Sequence, residues 1–271
     1  LQNLVDSITN NLSTDAEKVK AIYYWVQDNI QYVAFESGLE GFVPRNASLI
    51  YKRRFGDCKD MASIITYMCK LANIKAYFNW IGTRDIPYRY EEIPAPLCDN
   101  HMIACYIHNG IYTFLDGTAD DLPYGYPSGF ILGKQALVSL DSVHYKLVDV
   151  TPPADSLSFR NDSVYITLNG TNIIGYGCSK WFGYKKHYFN YDLTSTQSSD
   201  LPQLFRDQLT FGSNKFLIDT ISYKNEHNRD EPLNAHYHFN INSFATEVGN
   251  DMSINLQLNR LWYNDFLDTA M

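Results

Sequence analysis

The segment Phe55-Gly56-Asp57-Cys58-Lys59-Asp60 carries the residues best suited to thiol chemistry. Asp57 is a good helix N-cap and Asp60 suits a first turn, so a helix is expected over about 58–72 with Cys58 at its start. The partial positive charge of a helix N-terminus favours thiolate over thiol, and Lys59 and Arg53-Arg54 act in the same direction. Gly56 leaves room for a substrate backbone. A thiolate nucleophile also needs a base for its proton and a group to hold that base. Two candidates lie downstream: His101, opening a predicted strand after Asn100, and Asp116, closing the next strand between Leu115 and Gly117.

The spacing of these two is itself informative. Asn109-Gly110 between the apolar runs Met102–Ile107 and Ile111–Leu115 predicts a two-residue hairpin turn. Paired positions then sum to 219, which sets Asp116 opposite Ile103. His101 lies on the same face as Ile103, so its side chain and that of Asp116 are diagonal neighbours, roughly 5–8 Å apart at Cα or Cβ. A one-residue slip would put them on opposite faces.

The run Gly56-Asp57-Cys58-Lys59-Asp60, then Asn100-His101, then Leu115-Asp116-Gly117 resembles the transglutaminase-like superfamily. The resemblance covers roughly residues 14–135. With the upstream Gly41-Phe42-Val43-Pro44 it is similar, more narrowly, to bacterial members with flanking β-domains. It implies a Cys-bearing helix packed on an antiparallel sheet, and a papain-like triad of Cys58 as nucleophile, His101 as base and Asp116 as the group that orients the histidine. It also implies acyl transfer at amide carbonyls of a protein or peptide substrate through a thioester. Hydrolysis, as in a cysteine peptidase or amidase, and crosslinking, as in a transglutaminase, both stay open. So does the oxyanion donor besides the Cys58 backbone N–H, with Trp25, Gln31 and Tyr32 as candidates. A periplasmic or extracellular, cell-surface location is implied by the resemblance alone.

Blander readings compete at each position. A lone Cys at a helix start is often just a buried thiol. Cys69 falls on nearly the same helical face as Cys58, and Cys105 lies on the His101 face; both read as core. Cys98 and Cys178 carry no signal. His236 and His238 alternate on a strand and read as a solvated face rather than metal ligands, and His108 and His144 as surface. A metal site made of Cys58, His101 and Asp116 lacks a second ligand at short spacing. The whole chain can also be read as a catalytically silent protein- or glycan-binding module that has kept the fold. No cofactor is expected.

The elements that must position the triad are legible from caps and periodicity. Thr14 with Glu17 forms a capping box before Val19, Ile22, Tyr23, Val26 and Ile30 at helical spacing, predicting a helix over 14–31. Residues 32–57, with Gly38, Gly41 and Pro44, read mostly as loop. Lys75 to Ile81 reads as a strand, 82–99 as a long Pro-containing loop, 117–135 as a Gly-, Pro- and Tyr-rich segment beside the site, and Val138–Val150 as strand. Near Thr151-Pro152-Pro153 the composition shifts to alternating Asn, Ser, Thr, Tyr and apolar residues. The expected class is therefore α+β: a catalytic core over 1–150, then an all-β, sandwich-like domain over 151–271, with one short helix at Leu201–Gln208.

Bulk properties exclude other classes. The 271 residues carry a net charge of −8, with Lys52-Arg53-Arg54 as the densest basic cluster, so no nucleic-acid partner is expected. No run reaches the ~20 apolar residues of a membrane helix. Five cysteines without paired spacing make no disulfide framework, and no C-x-x-C occurs. The chain begins with Leu, and its first residues look like the approach to a helix, so a mature or excised piece of a longer chain is expected.

Overall fold

The structure is a computed structural model, described over residues 1–34, 43–209 and 215–255. Gly38, Gly41 and Phe42 lie outside the described residues. The chain forms two compact units, Leu1–Ala154 and Asp155–Met271. The class is α+β, and no helix among the described residues is long and apolar enough to cross a membrane.

The first unit begins with α1 (Gln2–Thr9) and α2 (Asp15–Asn29). The Thr14–Glu17 capping box is present in both directions and fixes where α2 starts. The segment 32–57, expected as loop, instead holds α3 (Ala47–Arg53), capped by the Asn46 side chain on Ser48 N–H. Its seven residues are too few to show helical periodicity, which is why the pattern was not visible. Two short parallel strands, β1 (Gln31–Tyr32) and β2 (Phe55–Gly56), pair Tyr32 with Gly56 and tie the exit of α2 to the entrance of the next helix.

That helix, α4 (Cys58–Leu71), packs on a five-stranded antiparallel sheet. The strands are β3 (Ala76–Ile81), β4 (His101–His108), β5 (Ile111–Leu115), β6 (Gln135–Ser139) and β7 (Tyr145–Asp149), in the order β5-β4-β3-β6-β7. Ile64, Ile65 and Met68 of α4 share one core with Val19, Ile22 and Val26 of α2 and with Ala104, Tyr106 and Leu115 of the sheet. The alternate residues Ile103 and Cys105 join Ile81, Ile131 and Ala136 on the opposite face. Cys69 and Cys105 are both fully buried, as expected. Each face of the sheet is thus covered, so the register of every strand is strongly specified.

The hairpin is the feature the site needs most. Asn109 and Gly110 both have positive φ, at 50° and 78°, as a two-residue turn of the I′ type requires. Ala104 pairs with Leu115 and Ile107 with Tyr112, the register expected from the turn.

The second unit is strand-dominated: β8 (Arg160–Asn169), β9 (Asn172–Trp181), β10 (Phe216–Lys224) and β11 (Leu233–Ile241) form one antiparallel sheet in the order β10-β11-β9-β8. Gly175 and Gly177 leave room for the Phe239 and Tyr237 rings, since a Cβ there would fall 2.4 and 2.2 Å from them. Among the described residues the one other sheet of this unit is a two-stranded ribbon. Two helices share the apolar core of the larger sheet: α6 (Leu201–Leu209), expected from the sequence, and α5 (Gly183–Ser195), which was not. The Phe189 ring of α5 lies tilted at 4.8 Å from Trp181 and meets Phe205 of α6 edge-on at 5.3 Å. The α5 segment holds three Tyr, one Phe and one Thr, residue types that favour strands, so tertiary packing overrides local preference here. His236 and His238 are exposed. Two short strands, β12 (Thr246–Val248) and β13 (Asp251–Ser253), end the described chain.

Because no atom lies within 4 Å of a Cβ built on Gly110, substitution there meets only backbone strain. Gly110→Ala should lower stability by about 1–2 kcal/mol, seen as a lower urea midpoint with an unchanged slope. An unchanged midpoint would mean that the turn does not hold the register.

Candidate active site

The site is built where α4 and β4 both begin. Cys58 is the first residue of α4 and His101 the first of β4. Asp57 caps the helix, its Oδ1 accepting from the N–H groups of Lys59 (3.1 Å) and Asp60 (3.2 Å). Asp60 Oδ2 accepts in return from the Asp57 N–H, completing a capping box. The cap thus serves the second and third N–H groups of the helix, and the N–H of Cys58 has no partner among the described residues.

Four buried or half-buried charges lock this entrance. Lys59 Nζ lies 2.8 Å from Asp57 Oδ2, and Arg45 Nη1 lies 2.6 Å from Asp60 Oδ2 and 3.6 Å from Asp57 Oδ2. The Arg45 backbone N–H also donates to Asp60 Oδ1. Each cation has a carboxylate, so the burial of Asp57, Lys59 and Asp60 leaves no uncompensated charge. This changes two expectations. Lys59 is committed to Asp57, and Arg54 lies over the rings of Trp25 (5.0 Å) and Tyr51 (4.6 Å), so neither cation is aimed at the thiol. Gly56 has a structural reason besides the expected one, because a Cβ would lie 2.5 Å from the Asp60 Cβ.

His101 and Asp116 meet as the hairpin register predicts. Nε2 of His101 lies 3.0 Å from Oδ2 of Asp116, with His101 6% and Asp116 1% exposed. The remaining ring nitrogen, Nδ1, is the one available to the sulfur of Cys58. Burial disfavours a charged imidazole, but the Asp116 charge and hydrogen bond, then the hydrogen bond and charge of Cys58, outweigh it and raise the His101 pKa to about 10. Burial likewise disfavours a charged Asp116. The His101 charge, with hydrogen bonds from His101, Ser128 and Thr118, holds its pKa down to about 2. Ser128 Oγ donates to Oδ2 at 2.7 Å, and the Thr118 hydroxyl and N–H donate to Oδ1 at 2.7 and 3.1 Å. Tyr23 Oη of α2 donates to the Asp116 carbonyl at 3.0 Å, and Phe130 meets the His101 ring edge-on at 5.3 Å.

The Gly-, Pro- and Tyr-rich segment after β5 therefore supplies Thr118, Ser128 and Phe130. Gln27 of α2 anchors its start, donating from Nε2 to the Ala119 carbonyl at 2.6 Å. Thr118, two residues after Asp116, fits a local side-chain turn that a sequence can reveal. Ser128 lies twelve residues from its partner in irregular chain and carries no such signal. Of the three oxyanion candidates, Trp25 packs on Tyr51 (5.9 Å) and Arg54, Gln31 pairs with Phe55, and Tyr32 pairs with Gly56, two residues before Cys58.

The two pKa shifts set a pH window. The raised His101 value contributes stability that is complete below its ordinary 6.5 and is lost as pH rises through about 10. The lowered Asp116 value contributes stability that is complete above its ordinary 3.8 and is lost as pH falls through about 2. NMR of the imidazole nitrogens should therefore show His101 protonated at neutral pH and titrating near 10. In Asp116→Asn that titration should fall by several units, because burial is then opposed only by Cys58. Titration near 6.5 in the unaltered protein would contradict the pair.

Residues 2–90 match the core model of the transglutaminase-like superfamily, a span that holds Cys58 and ends before His101 and Asp116. No curated protein matches the chain. Among solved structures, a candidate cysteine protease from Cytophaga hutchinsonii is 22% identical over 44% of this chain and 36% of its own, with a TM-score of 0.33. A candidate protease from Parabacteroides distasonis is 8% identical over 89% of this chain and 48% of its own, with a TM-score of 0.41. The chain thus spans less than half the length of either. Over residues 2–90, and in packing a helix on an antiparallel sheet, the first unit is thus similar to the transglutaminase-like superfamily.

Proposed function

We propose that the first unit catalyses thiol-dependent acyl transfer at amide carbonyls of a protein or peptide, with Cys58 as nucleophile, His101 as its acid–base partner and Asp116 as the residue that holds the histidine. The observation that carries this reading is the buried His101–Asp116 pair at 3.0 Å, with Cys58 at the start of a helix and among the groups that raise the His101 pKa. A histidine buried merely for stability would need only the carboxylate; here Cys58 also contributes to the raised His101 pKa, as a nucleophile and base in one site would.

In the proposed reaction the proton of the pair rests on His101 and the sulfur of Cys58 attacks the carbonyl carbon. The carbonyl oxygen becomes an oxyanion, and the Cys58 N–H, without a partner among the described residues, is the donor we assign to it. Collapse of the intermediate breaks the C–N bond, His101 gives its proton to the leaving amine, and a thioester remains on Cys58. Water or an amine, deprotonated by His101, then attacks the thioester and frees the thiol. Asp116 stays ionised throughout and keeps the imidazolium oriented. The first half is common to peptidases and transglutaminases; the acceptor decides between them.

Cys58→Ala should abolish turnover of a small peptide anilide without loss of the folded CD spectrum. Asp116→Asn should keep the fold and lower kcat by roughly three to four powers of ten. Supplying a primary amine distinguishes the acceptors, since incorporation into the acyl product marks transamidation and its absence marks hydrolysis. Undiminished turnover in Cys58→Ala would refute the assignment.

A further inference from the structure

A cavity of about 790 Å³ lies beside α4, bounded by Pro44, Arg45 and Ala47, by Ser63, Thr66, Tyr67 and Lys70 of α4, and by Ala76 and Phe78 of β3. Its volume suits a ligand the size of a few residues. Phe78, which lines it, also packs on the cluster of Cys58, Ala62 and Met102, so one side chain links the cavity wall to the surroundings of the thiol.

Two features of this cavity define a ligand. The first is strand geometry. β6 pairs with β3 only over Asn79–Ile81, while β4 pairs with β3 over its whole length. On the β6 side, residues 76–78 have no strand partner among the described residues, and this open edge borders the cavity. Such an edge accepts an extended peptide as an added strand. The second is charge. The chain has 30 acidic and 22 basic residues, yet Asp and Glu are absent from the cavity lining, which includes Arg45, Lys70 and Lys75. Arg45 is engaged by Asp60, and Lys75 lies 4.8 Å from the Tyr77 ring and within the electrostatic reach of Asp141. Lys70, exposed in the last turn of α4, makes no ion pair among the described residues.

We infer that this groove docks an extended, acidic segment of a polypeptide substrate, which adds to the open edge of β3 and sets a carboxylate against Lys70. The inference rests on the proposed acyl-transfer reading and deepens it by giving the substrate a charge and a backbone conformation. The strand edge supplies affinity independent of sequence, and Lys70, with Lys75 behind it, supplies the preference for acidic side chains. The Tyr67 ring and the Phe78 floor receive the apolar side chains that alternate with them.

Binding is read on the full chain carrying Cys58→Ala, so that it does not depend on turnover. A fluorescein-labelled glutamate-rich peptide is titrated by anisotropy at low salt against its glutamine counterpart. The acidic peptide should bind about tenfold more tightly, with an advantage that shrinks as salt rises. Adding Lys70→Glu should reverse the preference, so that a lysine-rich peptide now binds better. Methylating alternate backbone nitrogens of the acidic peptide should remove binding, since the added strand loses its donors. Equal affinity for the acidic and neutral peptides, no effect of Lys70→Glu, or full binding by the N-methylated peptide would each overturn the proposal. A peptide that binds as described to a protein whose Cys58 proves inert would refute the catalytic reading and leave the groove. Turnover without a charge preference would do the reverse.

Discussion

A carboxylate as deeply buried as Asp116 stays ionised only if its surroundings replace the water it has lost. Four donors do so: the imidazole, the Ser128 hydroxyl, and the hydroxyl and N–H of Thr118. The rest of the site depends on this interaction. With the charge in place, the buried imidazole is protonated and its ring is fixed by Nε2, so that Nδ1 is left for the sulfur. Without it, burial alone would strip the proton from His101 and leave the ring free to turn. Asp116 also draws on three separate parts of the unit, because Tyr23 holds its carbonyl from α2 and Ser128 reaches it from the segment before β6. Packing of α2 against α4 and the sheet is therefore also what keeps the pair assembled.

The entrance to α4 solves a second problem of buried charge. The same short motif must start a helix, bury two carboxylates and set a thiol, itself buried, at the first position of that helix. Pairing Lys59 with Asp57 and Arg45 with Asp60 neutralises the carboxylates where they stand, and the two side chains at the same time cap the helix. What the cap leaves over is the Cys58 N–H, so the geometry that stabilises the helix start also frees a donor beside the sulfur. A Cβ on Gly56 would drive into Asp60, and the glycine is therefore as much part of this arrangement as the charges.

The parts of the fold governed by local rules were legible from the sequence. The Thr14–Glu17 box, the Asp57 cap and the Asn109-Gly110 turn each depend on a few neighbouring residues, and from the last alone follows the register that brings His101 to Asp116. The parts that were not legible depend on distant contacts. Helix α3 is too short for periodicity, and α5 is held by Trp181 and Phe205 rather than by helix-forming residues. Arg45 and Ser128 join the site from irregular chain, 15 and 12 residues from the carboxylates they serve. The role assigned to Lys59 changed for the same reason: sequence proximity to Cys58 suggested direct action on the thiol, whereas its charge is paired with Asp57, and Gly56 likewise makes room for Asp60.

The central claim is that Cys58 forms a covalent acyl intermediate with the help of His101. Intact-mass spectrometry of the protein quenched in acid during turnover of an activated peptide ester tests it most directly. The account predicts a single acyl adduct that maps to Cys58, disappears in Cys58→Ala and accumulates far more slowly in His101→Ala. An absent adduct, or acylation spread evenly over Cys58, Cys98 and Cys178 and indifferent to His101, would contradict it.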